Sequence, residues 1–292
     1  MNRIDNKPRN ANPMRENTAV QEPDSPTSSP VTPTEVGIYD RSGIRLEQTQ
    51  WVITEKPVTL YINGREVVTL LCAGNHLDEL AAGFFYSEGF ISSPEQIEGI
   101  EVDEAAGKID IRTAAKAPLS EKLFQKRTVT SGCGKGSLFY YALDALLSKP
   151  VVSDLHISPS QILDRVEDLN RLSEVYRRTH GVHNTALAVP DRLVLFREDI
   201  GRHNAVDMIV GHAFLNRMPL TDKFLITTGR LTSEILIKAA KVNIPVLVSR
   251  NTATSLALEL ARSLGLTLIG FARAGKFTVY SGRERIDVSL PG

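Results

Sequence analysis

Thiols are scarce in this sequence. Its 292 residues hold two cysteines, Cys72 and Cys133, too few for a disulfide framework and in keeping with a reducing compartment. Neither sign of charge is in excess: 34 Lys and Arg balance 34 Asp and Glu. A neutral chain sets up no long-range field toward nucleic acid or an anionic membrane, so any anion must be held by local clusters. No apolar run approaches the ~20 residues that span a bilayer. The start, MNRIDNKPRN, lacks the apolar stretch of a secretory signal. These absences predict a cytoplasmic protein with no nucleic-acid or membrane partner.

What is present falls into four stretches. Residues 1–34 ("QEPDSPTSSPVTPT" among them) carry too little apolar surface to offset ordering entropy and predict a disordered tail. Residues 35–113 predict a small α+β subdomain. In it "VTLYI" and "EVVTLLCA" flank an Asn63-Gly64 hairpin turn. A helix follows over "DELAAGFFYSEGF", with Leu80, Phe84 and Phe85 on one face, then the strand pair "IEGIEVD" and "KIDIRT". Residues 114–137 lose periodicity and collect Lys, Ser and Gly, the composition of an exposed loop ending at a helix over "SLFYYALDALL". Residues 138–292 predict an α/β core. Ser158 is expected to cap one helix through "QILDRVEDLNRLSEVYRR", and "TALAV" and "LVLF" form a hairpin about Pro190-Asp191. After the helical "HNAVDMIVGHAFL", strands "FLITT", "PVLVS" and "LTLIGF" alternate with helices "SEILIKAAKV" and "SLALELARSL", and "KFTVYS" closes the series. That alternation implies parallel strands covered by helices.

In such sheets ligands bind beyond the carboxyl ends of the strands. Three successive strand ends carry matching chemistry: Thr228-Gly229-Arg230, then Ser249-Arg250, then Arg273 with Gly275 and Lys276. Guanidinium groups, hydroxyls and helix N–H groups are the parts of a phosphate site. A further polar crowd, "FREDIGRHNAVD", places Glu198, Asp199, Arg202, His203, Asn204 and Asp207 at a strand-to-helix junction. For any one of these residues a capped helix start with surface pairs explains as much, and His203 alone fits a structural histidine. His180 and His183 lack carboxylate or thiolate partners at ligand spacing. No P-C-x-x-C occurs either, so a zinc site is not expected.

The thiols differ. Cys72 ends an apolar strand and is expected in the core. Cys133 sits in "TVTSGCGKGS", between Gly132 and Gly134, with Lys135, Lys126 and Arg127 nearby. Glycine freedom and positive charge favour a mobile thiolate able to carry sulfane sulfur as a persulfide. A plain flexible loop with an incidental cysteine explains the same residues, and both readings stay open here. The "GKGS" lacks the upstream glycine of a P-loop.

"FREDIGRHNAVDMIVG", the long run "TTGRLTSEILIKAAKVNIPVLVSRNTATSLALELARSLGLTLIGFARAGKFTVYSGRERI" and the central "SGCG" together resemble the FdhD family of formate dehydrogenase accessory sulfurtransferases, over about residues 36 to 287. The resemblance implies an α/β fold: a cytidine deaminase-like three-layer core without zinc, preceded by a small α+β subdomain, as a homodimer. It implies that sulfur arrives from a cysteine desulfurase as a persulfide. The sulfur passes to the molybdenum or tungsten bis-guanine-dinucleotide cofactor, bound as a substrate, with no metal held by the protein itself. The sulfurated cofactor then goes to the catalytic subunit of formate dehydrogenase. By this likeness Cys133 carries the persulfide, and Phe271, Ala272, Arg273, Ala274, Gly275 and Lys276 form the cofactor-binding strand end. Thr228, Gly229, Arg230, Ser249, Arg250 and His203 join the expected site from the reading of the residues themselves. Many family members carry C-x-x-C in the loop, whereas here Gly136 stands at the second position. Direct transfer from Cys133 is therefore expected. Two rivals remain: a cofactor chaperone without sulfur chemistry, and a deaminase-type nucleotide enzyme, the latter disfavoured by the missing zinc ligands.

Overall fold

The computed structural model describes residues 30–43, 45–114 and 150–289. Cys133 and the helix expected over "SLFYYALDALL" lie outside the described residues. Strands β1 (Val31–Tyr39) and β2 (Arg45–Ile53) form an antiparallel ribbon with most side chains exposed. Residues 31–34, expected as tail, are thus strand: β-branched Thr32 and Thr34 pair with Val52 and Gln50.

The small unit is built on β3 (Lys56–Ile62), β4 (Arg65–Cys72), β5 (Ile97–Asp103) and β6 (Lys108–Thr113), in the order β4-β3-β6-β5. The β3–β4 turn uses left-handed Asn63 and Gly64, as a two-residue hairpin demands. Val58, Leu60 and Ile62 alternate inward, as period-2 burial requires, and pack with Leu80 and Phe85 of helix α1 (Leu77–Ser87). Phe84, expected on the same face, is half-buried against this cluster.

The core unit opens with α2 (Pro159–Leu172), where Ser158 and Gln161 form a capping box. The single helix expected here is two. Ser173 stops α2 and starts α3 (Glu174–Thr179), its hydroxyl accepting from Tyr176 N at 2.9 Å. The hairpin β7 (His183–Val189) and β8 (Arg192–Asp199) leads into α4 (Arg202–Leu215). Then come β9 (Phe224–Thr227), α5 (Ser233–Lys241), β10 (Val246–Ser249), α6 (Ser255–Ser263), β11 (Thr267–Arg273) and β12 (Lys276–Ser281). They make a six-stranded sheet, β12-β11-β10-β9-β7-β8, in which β9, β10 and β11 are parallel. One face packs Ala186, Ile226, Val248 and Ile269 against Ile162, Val166 and Leu169 of α2. The other packs Leu187, Leu225, Leu247 and Leu268 against α4, α5 and α6. The fold is mixed α/β, with helices on both faces of its main sheet.

Helix α4 is apolar nearly all round because it is covered twice, by the sheet and by α1. The two helices cross at Gly83 and Gly211, where an added Cβ would lie 1.8 Å from Asp207 O and 1.9 Å from Glu79 O, respectively. Buried charges close the joint. Arg197 Nε and Nη2 donate to Glu79 at 2.5 and 2.6 Å, with His212 Nδ1 2.8 Å from Glu79 Oε1. Lys238 Nζ and Ser87 Oγ both reach the Asp207 carboxylate.

Candidate functional site

Strands β9, β10 and β11 deliver their carboxyl ends to one edge of the main sheet. Because β7 is antiparallel to β9, its first residues come to that edge too, beside the end of β8. Thr228-Gly229-Arg230, Ser249-Arg250, Phe271 and the α4 start with His203 are therefore brought together, as the alternation of elements implies. The loops after β9 and β10 zip to each other through Leu231 N to Thr252 O and Thr254 N to Leu231 O, both 3.0 Å.

Each strand end has its own role. Ser249, fully buried, donates to Gly229 O at 2.6 Å and accepts from Asn251 N at 2.8 Å, so it braces the two loops. Gly229 is needed because a Cβ there would meet Arg202 Cβ at 2.9 Å; the bare backbone lets Arg202 lie across it. Arg250 donates through Nη1 to Asn170 Oδ1 at 2.8 Å. His203 Nε2 lies 3.0 Å from Glu234 Oε2, at ion-pair distance but without hydrogen-bond geometry. Burial, with Arg202 and then His203 adding positive charge, depresses the pKa of His183. Arg230 is exposed.

The edge is marked by what it leaves unpaired. Among the described residues, the buried side-chain atoms without a hydrogen-bond partner are Asn184 Oδ1, Arg202 Nε, His203 Nε2, Thr232 Oγ1, Arg250 Nε and Arg285 Nε. All but the last belong to this edge. A buried unpartnered polar atom costs about 1–3 kcal/mol, and a polar ligand recovers that cost. Thr232 is the N-cap of α5 yet makes no side-chain cap bond, which leaves hydroxyl and helix N–H groups for an anion.

Phe271 to Lys276 form a hairpin end. Strand β11 is irregular between Gly270 and Arg273, and Ala274 and Gly275 make the turn to β12 with positive φ. Phe271 also has positive φ, is 39% exposed, and has the Arg273 guanidinium 5.6 Å from its ring centre. A bulky side chain in that region is strained, and such strain clusters at ligand sites. Ala272 is buried in the core under α2. Cys72 is fully buried; burial foremost, with the Asp199 charge, pushes its thiol up to about 12. It is a packing residue, unsuited to thiolate chemistry.

The sequence profile of the FdhD/NarQ family matches residues 53–287. The chain belongs to that family. A relative from Bacillus subtilis (strain 168), named Sulfur carrier protein FdhD, is 41% identical over 235 residues, covering 80% of this chain and 90% of the relative. One of the same name from Staphylococcus aureus (strain Newman) is 37% identical over 238 residues, 82% of this chain and 90% of the relative. A crystal structure described as a formate dehydrogenase accessory protein from Desulfotalea psychrophila superposes with a TM-score of 0.73 at 28% identity, covering 88% of this chain and all of the other.

Within this FdhD/NarQ chain the polar crowd of residues 198–207 is divided. Arg202 and His203 face the edge. Asp199 and Asn204 instead latch the small unit to the core: Asp199 accepts from Ala73 N and Gly201 N at 2.7 and 2.8 Å, and Asn204 Nδ2 donates to Leu71 O at 2.8 Å. Asp207 belongs to the helix joint. Thr232, expected in the helix turn after Gly229-Arg230, and Arg202, expected in the polar crowd, both lie at the edge, whereas Asn184 was not among the expected residues. Asn184 was hidden because only the antiparallel placement of β7 brings its start to the edge.

Proposed function

We propose that this protein is a sulfur carrier and sulfurtransferase serving formate dehydrogenase. Cys133 accepts the terminal sulfur of a cysteine desulfurase persulfide, the desulfurase cysteine leaving as thiolate. Cys133 then delivers that sulfur to a molybdenum or tungsten bis-guanine-dinucleotide cofactor, bound as substrate at the edge of the main sheet. The printed names of the relatives and of the similar crystal structure support the sulfur-carrying, formate dehydrogenase accessory part of this reading. The observation that carries the binding part is the row of buried unpartnered polar atoms, Arg202 Nε and Arg250 Nε foremost, beside Thr232 at the start of α5. Such an edge fits pyrophosphate and base edges. Kinship of the core with cytidine deaminases, a homodimer, and the catalytic subunit of formate dehydrogenase as recipient belong to this proposal, on the family likeness.

Loading the full chain with a desulfurase and cysteine, then mapping persulfide by mass spectrometry, tests it. Label is expected on Cys133 and absent in Cys133→Ala; label on Cys72 would overturn the assignment. A Cys133→Ala chain that still sustains formate dehydrogenase activity in cells would favour cofactor delivery without sulfur chemistry.

A further inference from the structure

The main sheet ends at β12, and its hydrogen bonding stops there. Strand β12 pairs with β11 on one side and, among the described residues, with no strand on the other. An end strand presents alternate N–H and C=O groups outward, a template for another extended chain. Its two faces differ in chemistry. Phe277 and Val279 are half-buried against the apolar cluster under α2. Thr278 and Tyr280 alternate with them, toward the α6 side. Tyr280 packs on the opposite cluster, its ring taking the room that a Cβ at Gly270 would need and its hydroxyl 3.2 Å from Thr252 Oγ1.

Between the end of β12 and the last turn of α6 lies a cavity of about 470 Å³, lined by Arg262, Gly265, Tyr280, Gly282, Arg283 and Glu284 among others. Arg262 and Arg283 are exposed and have no carboxylate partner among the described residues. Glu284, the one acid among the described lining residues, has Oε1 3.6 Å from Arg285 Nη1. Free carbonyls at the end of α6 would repel an anion, but these are occupied. Leu260 O accepts from Leu264 N at 2.9 Å, Ala261 O from Leu266 N at 2.8 Å and Leu264 O from Val151 N at 2.9 Å. Gly265 O accepts from Arg285 Nη1 at 2.9 Å. The cavity is therefore left with two uncompensated cations.

We propose that β12 is the docking strand for an extended segment of a protein partner in which acidic residues alternate with apolar ones. The partner's apolar side chains continue the Phe277 and Val279 face. Its carboxylates continue the Tyr280 face and meet Arg262 and Arg283 at the cavity. Main-chain bonds supply affinity in such strand addition, and alternate side chains supply specificity. Because β12 runs from the Phe271–Lys276 hairpin to Ser281, beside the start of β11, a docked partner flanks the candidate site without filling it. The inference thus stands apart from the cofactor reading.

Fluorescence polarisation of the full chain with a labelled peptide of alternating valine and glutamate tests this. The peptide binds, and its valine–glutamine counterpart binds about tenfold more weakly, the worth of one charge-assisted hydrogen bond. Of two versions N-methylated on alternate residues, the one blocked along the edge that faces β12 fails to bind, and the other binds as the parent does. When Arg262→Gln and Arg283→Gln are combined, both peptides bind equally, at the affinity of the glutamine peptide for the wild type. No binding of the glutamate peptide to the wild type, equal binding of the two N-methylated versions, or a glutamate preference that survives the double substitution overturns the proposal. So does a chain whose dimers the peptide splits, which would give the edge to a second copy. Both arginines are exposed, and the peptide series on the wild type needs no variant, so misfolding does not decide the matter.

Discussion

One helix serves two regions of opposite character. The body of α4, from Asp207 to His212, crosses α1 in a joint where Glu79, Arg197, His212, Asp207 and Lys238 all have buried partners. Its first turn, Arg202 and His203, stands at the sheet edge, where buried polar atoms lack partners. The second arrangement is informative, because buried polar groups in folded proteins are almost always paired. Charges that are complete in themselves hold the two units together; charges that are incomplete wait for something. The same polar composition therefore means structure in one place and recognition a few residues away.

The comparison breaks most severely at the joint. A methyl at Gly211 would overlap the backbone oxygen of Glu79, which has no flexible end to yield. Gly211→Ala is expected to cost about 3 kcal/mol or more, the upper end for overpacking. Gly275→Ala, at the hairpin tip with open space around it but a φ of +72°, should cost about 1 kcal/mol. Urea denaturation of the two variants checks this. Similar midpoints would mean that α1 and α4 are not in backbone contact.

The sequence made most of the frame legible. The Asn63-Gly64 turn, the β7–β8 hairpin and the alternation after Phe224 all depend on local pattern, and local pattern suffices for them. The break at Ser173 was missed because apolar spacing runs on through it, while the hydroxyl that caps α3 is a single atom. The candidate site was half legible. Arg230 and Arg250 announce themselves by following apolar strands, but Arg230 turns out exposed, with the half-buried Arg202 lying over Gly229. Asn184 becomes a neighbour of Thr228 only through pairing across 44 residues, with Glu198 one strand beyond it, and no periodicity encodes which strand lies beside which. Asp199 and Asp207 look like partners of His203 in the chain, yet helix geometry and the docking of the small unit turn them elsewhere.

Removing charge from the incomplete region sharpens the contrast. Arg202→Met and Arg250→Met should leave folding stability within about 1 kcal/mol of the parent, since each removes an unpartnered buried nitrogen as well as favourable contacts. Each should weaken GDP binding by about 1.5–3 kcal/mol, the value of a hydrogen bond to a charged group. Differential scanning calorimetry and nucleotide titration on the same samples separate the two effects. A variant that lost stability and kept its affinity would place these arginines with the structural charges of the joint.

The smallest expected effect is the dependence of stability on pH, where the two regions pull in opposite directions. At Glu79 burial works against ionisation, but hydrogen bonds from Arg197 and His212 outweigh it and bring the carboxyl from 4.5 down to about 2. Its native form holds fewer protons than its unfolded form, so its contribution is complete above 4.5 and is lost as the pH falls toward about 2. Glu198 and Asp199 go the other way: burial raises both, against the hydrogen bonds they accept. Their native forms bind protons first, so acidification from neutrality toward their unfolded values adds stability. Urea midpoints followed downward from neutral pH should therefore rise slightly before they fall. Glu198→Gln should flatten the rise and leave the acid fall, whereas Glu79→Gln should flatten the fall, on a lower baseline, because Arg197 loses its charged partner. If Glu79→Gln instead left the acid limb unchanged, the joint would owe its stability to packing at Gly83 and Gly211 alone, and the two regions would differ in shape rather than in the completeness of their charges.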